Sequence, residues 1–109
     1  MSATVTPRGS KYDVRERFRQ LVAQWKEQSR HLSNAAQMAM LPPYQQIIGM
    51  GEAVVPLLLE ELQRDPDQWF WALEAIAQEN PVSPLAVGKV RQMADEWVAW
   101  GKRQGYMAA

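Results

Sequence analysis

The sequence predicts an all-α protein, a compact bundle of about five helices. Three observations lead there. Apolar residues recur at spacings of three and four along most of the chain. No segment alternates with the period of two that marks a half-buried strand. Proline and glycine at Pro42-Pro43, Gly49-Met50-Gly51, Asp65-Pro66, Asn80-Pro81 and Ser83-Pro84 cut the pattern into helix-sized pieces.

A chain of 109 residues supports one domain, near the lower end of sizes that bury a self-sufficient core. Residues 1–12 read as a flexible tail without the apolar segment of a signal peptide, and residues 13–106 as a single helical domain. Asp13 and Glu16 form a capping-box-like pair for the first helix. Val14, Phe18, Leu21, Val22 and Trp25 then make one apolar stripe, which stops by Ser29. Ser33 or Asn34 can cap a short helix that ends near Met40 or Leu41, ahead of Pro42 and Pro43. Pro43 suits the first turn of the next helix, with Tyr44, Ile47 and Ile48 at helical spacing and Gly49 and Gly51 closing it.

A helix starting at Glu52 or Ala53, with Pro56 in its first turn, is apolar nearly all round through Leu62. Glu60, Glu61, Gln63 and Arg64 mark its exposed end. Asp67 can cap a helix from Gln68 to about Gln78, which sets Trp69, Leu73 and Ile76 on one face. Ser83 and Pro84 open the last helix. Its stripe is Val87, Val90, Met93, Ala94, Trp97 and Val98, it carries Gly88 in its first turns, and it ends between Gly101 and Gly105.

The apolar fraction of 47% and charged fraction of 22% are those of an ordinary globular protein. The absence of cysteine removes disulfides, thiolate zinc sites and thiol nucleophiles, and suits a reducing cytoplasm, the expected location. No apolar run approaches the roughly 18 residues of a membrane span. The net charge is zero but uneven. Residues 1–34 carry seven basic and three acidic side chains, residues 35–82 only Arg64 against seven acids, and residues 83–109 four basic and two acidic. Basic ends around an acidic centre fit intramolecular complementarity, a basic arm for a polyanion, or simply solvated faces, the last being the commonest case.

A helix ending in Gly-x-Gly, a second beginning Val-Val-Pro-Leu-Leu, and an Asp-Pro-Asp turn into a third together resemble a HEAT repeat, over about residues 43–79. The resemblance implies a helical hairpin at the centre of the bundle and a scaffolding surface for protein or nucleic acid. Stable solenoids need about three or more repeats, so the flanking helices are expected to cap the unit. The run through Tyr44 to Ile76 is also similar to a group of small bacterial proteins of unknown function.

The chain offers one histidine, His31, no cysteine and no phosphate-binding glycine loop. A lone histidine is more often a surface or capping residue than a catalyst, and Glu60, Glu61, Asp65 and Asp67 lack the ligand spacing of hard-metal sites. No catalytic activity, cofactor or metal is therefore expected. The expected function is a non-catalytic protein-interaction module, a small partner subunit of a larger bacterial assembly in a mobile-element, defence or toxin–antitoxin setting. Its partner surface is assigned to Tyr44, Met50, Trp71 and Trp100, because large amphipathic groups are enriched at interface centres. Trp69 and Trp71, two positions apart, point about 200° apart on a helix and cannot share a face. Trp25, Trp69 and Trp97 are assigned to the core. The alternative is an accessory nucleic-acid binder using Arg8, Lys11, Arg15, Arg17, Arg19, Lys26 and Arg30, alone or within a complex.

Overall fold

The computed structural model describes residues 11–108, with side chains from Val14 onward. Among these residues there are six α-helices and no strand: α1 (Lys11–Ser29), α2 (Ala35–Ala39), α3 (Pro42–Gly49), α4 (Val55–Arg64), α5 (Phe70–Ala77) and α6 (Val90–Arg103). The all-α expectation holds. Residues 1–10 of the expected tail lie outside the described residues, as do Arg8 and the side chains of Lys11 and Asp13. Helix α1 already contains Lys11 and Tyr12, so Asp13 falls within its first turn rather than at its cap.

The helices form two rows. In one, α1 lies against α3 and α3 against α5; in the other, α4 lies against α6 and also touches α5. The α1 stripe supplies Phe18, Leu21, Val22 and Trp25 to the core, with Val14 half-buried at its edge. Helix α4 buries Val55, Leu57, Leu58, Leu59 and Leu62, which is why its sequence is apolar on nearly every face. Glu61 departs from expectation. It is buried rather than exposed, and its carboxylate accepts a hydrogen bond from Arg64 one turn later.

Three helix starts differ from the sequence reading, each for a backbone reason. A helix from Glu52 would set the ring of Pro56 against the carbonyl of Glu52, four residues back. The chain instead makes a 3₁₀ turn over Gly51–Val54, and α4 begins at Val55 with Pro56 in its first turn. Helix α5 starts at Phe70, not Gln68: Asp67 closes its own turn, its carboxylate accepting from Gln68 N–H at 2.8 Å and its carbonyl from Trp69 N–H at 2.8 Å. The last helix starts at Val90. Pro84–Ala86 is a separate 3₁₀ turn, and Gly88 (φ 86°) bends the chain through a left-handed conformation that no helix interior contains. Val87, expected on the apolar stripe, is therefore 65% exposed.

Two ends match expectation more closely. Asn34 caps α2, its side chain accepting from Gln37 N–H at 3.0 Å. Helix α6 closes in a Schellman motif around Gly105 (φ 85°): Tyr106 N–H donates to the Gly101 carbonyl at 2.8 Å and Gly105 N–H to that of Lys102 at 3.2 Å. The Tyr106 ring stacks on Trp100 at 5.5 Å, the apolar contact that accompanies such a cap.

Gly101 sits inside α6 where that helix crosses fully buried Leu59 of α4, and a Cβ there would collide with Leu59 Cδ1. Alanine gains up to ~1 kcal/mol of helix propensity over glycine, but overpacking a filled core costs about 1–3 kcal/mol. Gly101→Ala is thus expected to destabilise by about 1 kcal/mol in urea unfolding, and adding Leu59→Val should recover part of the loss.

Candidate functional site

The side chains assigned to a partner surface do not gather in one place. Tyr44 is fully buried, packed between Trp25 and Trp69 with ring centroids at 5.6 and 5.4 Å. Its hydroxyl donates to the Gln68 carbonyl and accepts from Ala72 N–H, both at 2.9 Å. Ala72 N–H is one of the first-turn donors of α5, and Trp69, at the cap position, has no side-chain oxygen to receive it. Tyr44 therefore caps α5 from across the core, and a partner could not reach it. Trp100 is also buried, edge-on to Trp97 at 5.1 Å, with its Nε1–H donating to Glu79 at 3.2 Å. Met50 ends α3 and is half-buried against the core. These three belong to the fold, two of them wholly.

Trp71 is different. It is 49% exposed, while Trp69 is fully buried, as their angular separation requires. Trp25 and Trp97 are buried as well, so all three tryptophans assigned to the core lie there. Trp71 lines an open groove of about 580 Å³ between α5, the start of α2 and α6. The apolar lining is Phe70, Trp71 and Ala75 from α5, Met93 from α6 and Ala35 from α2; Gln68 and Glu74 are its polar members. Exposed Met40, Leu85 and Val87 line none of it. Phe70, Trp71, Glu74 and Ala75 form a second stripe along α5, readable from their spacing once the first stripe is assigned inward. That Met93 and Ala35 complete the groove depends on tertiary contacts.

The basic face of α1 lies over the acidic centre. Arg15 pairs with Glu60 at 3.2 Å, and Lys26 reaches Asp65 at 2.7 Å and Asp67 at 3.9 Å. Lys26 holds the Asp65 carboxyl below its ordinary range, by hydrogen bond first and charge second. Arg17 donates to Gln46 at 2.9 Å, and Arg30 pairs with Glu27. Arg19 has no acidic partner among the described residues and lines shallow grooves between α1 and α4 beside Arg64 and Glu61. Internal complementarity thus accounts for part of the uneven charge, through Arg15 and Lys26, although such surface pairs contribute at most about 1 kcal/mol each.

Among the described residues no three His, Asp or Glu side chains gather as a metal site, and no helix is long and apolar enough to cross a membrane. His31 is exposed. Comparison with protein-family models, with curated proteins and with solved structures finds no significant match to this chain.

Proposed function

We propose that the protein is a non-catalytic interaction module, a small cytoplasmic partner subunit of a larger bacterial assembly, which docks another protein in the groove at Trp71. One observation carries this reading. Four of the five tryptophans are buried in a filled core, while the fifth stands half-exposed in an apolar groove. Tryptophan on a concave surface is the residue type that most often dominates binding energy. The two-row arrangement of α1, α3 and α5 over α4 and α6 supports a HEAT-like scaffolding unit. The nucleic-acid alternative has less support, because Arg15, Lys26 and Arg30 already face carboxylates.

Trp71→Ala is expected to leave far-UV circular dichroism unchanged and to shift stability by no more than about 0.5 kcal/mol, as for surface sites generally. The same change should remove from a native-host co-purification a protein that the wild-type chain retains. Unchanged retention would overturn the assignment of the groove.

A further inference from the structure

We propose that the occupant of the groove is a basic amphipathic helix, seating apolar side chains beside Trp71 and laying a lysine or arginine on Glu74. This rests on the docking reading above and adds the chemistry of the partner. The central segment holds seven acids, and six are engaged within the chain. Glu52 accepts from the Tyr106 hydroxyl at 3.0 Å and Glu79 from Trp100. Glu60 faces Arg15, Glu61 faces Arg64, and Asp65 and Asp67 face Lys26. Glu74 alone has neither ion pair nor side-chain hydrogen bond among the described residues. It is exposed, and among the described residues it is the single charged one lining the groove. An apolar trough with one uncompensated carboxylate and no cation is complementary to an apolar stripe flanked by positive charge.

The backbone form of the partner follows from the surroundings. A peptide that adds as a β-strand needs a strand edge to pair its main chain, and the described residues offer none. A helix satisfies its own and presents anchors at i, i+3, i+4 and i+7. A second copy of this chain fits less well, because a two-fold pairing through this patch sets Glu74 toward its own mate with no base to meet it.

The test uses two tryptophan-free helical peptides of about five turns, with leucine at i, i+3, i+4 and i+7, identical except for lysine or glutamate flanking the stripe. Each is titrated at low salt into the ¹⁵N-labelled full chain while the Trp71 indole N–H resonance is followed. The lysine peptide should move that resonance and bind about fivefold more tightly than the glutamate peptide, the scale of one exposed ion pair. Glu74→Lys, at an exposed position, should reverse the order. Equal binding of both peptides, indifferent to Glu74→Lys, overturns the basic partner but leaves the docking groove standing. An unmoved Trp71 resonance with either peptide overturns the helix proposal, and the co-purification then decides the docking reading by itself. Concentration-dependent self-association abolished by Trp71→Ala assigns the groove to a second copy and overturns the proposal as well.

Discussion

Trp69→Ala is expected to destabilise the fold by about 3–5 kcal/mol, the usual cost of truncating a buried large aromatic residue. Against a typical total of about 5–15 kcal/mol for a domain, that brings a chain of this size close to unfolding at room temperature. Trp69 stands at the centre of an aromatic cluster. Its ring lies 4.4 Å from Trp25, 5.4 Å from Tyr44 in a stacked arrangement, and 6.5 Å from Phe18. Alanine would leave a cavity bounded by rigid rings that cannot collapse into it, the condition under which truncation costs most. Urea unfolding with far-UV detection measures the loss. A finer contrast lies in the indole nitrogens. Trp69 Nε1 is buried without a hydrogen-bond partner among the described residues, whereas Trp25 Nε1–H donates to the Met38 carbonyl at 2.8 Å. Trp69→Phe should therefore cost less than Trp25→Phe, since the first removes an unsatisfied donor and the second removes a hydrogen bond, leaving the Met38 carbonyl with only the long 3.4 Å bond from Leu41 N–H.

Tyr44→Phe comes next in size, at about 2–3 kcal/mol, because it removes one oxygen atom and orphans two backbone groups. The Ala72 N–H and the Gln68 carbonyl both lose their partner at the start of α5. Fraying of that first turn should appear as faster amide exchange at Trp71 and Ala72. The same phenol makes stability depend on pH. Burial, with a smaller contribution from the Asp67 carboxylate, pushes Tyr44 well above the ordinary tyrosine value, and the Ala72 N–H only partly offsets it. The unfolded chain loses this proton near pH 10, while the folded chain keeps it to higher pH. The stabilising contribution is therefore complete below about pH 10 and disappears as pH rises through the folded value, at up to about 1.4 kcal/mol per pH unit. Tyr106 is shifted in the same direction, by burial and by its hydrogen bond to Glu52, but it is more exposed and adds less. Urea midpoints between pH 8 and 11 should fall for the wild type and fall less steeply for Tyr44→Phe.

Local periodicity carried much of the architecture. The α1 stripe, the apolar α4 and the opposed directions of Trp69 and Trp71 all follow from about 100° per residue. Backbone chemistry at single residues was harder to weigh. Pro56 and Gly88 are each compatible on propensity alone with the helices expected around them; ring sterics move the start of α4 to Val55, which keeps Pro56 in its first turn, and a left-handed turn at Gly88 keeps that residue out of α6. The site was least accessible. Nothing in the spacing around Tyr44 marks it as the cap of a helix 28 positions away, so its amphipathic ring read as a surface feature. Trp100 was misplaced for a similar reason, because Glu79, which receives its N–H, lies on a different segment. The groove needed Met93 and Ala35 to meet α5, and only the tertiary arrangement brings them there.

The aromatic cluster draws its members from the first and third helices and from the cap of the fifth, so the order of synthesis bears on how the protein matures. At roughly 5–20 residues per second, Phe18 and Trp25 emerge several seconds before Trp69 exists to cover them. During that interval the nascent α1 stripe has no native counterpart beyond whatever part of α3 has appeared. A chain that shields its earliest greasy surface with one of its later residues is exposed to wrong associations in the cell, and slowing translation between Tyr44 and Trp69 should lower the yield of correctly folded product.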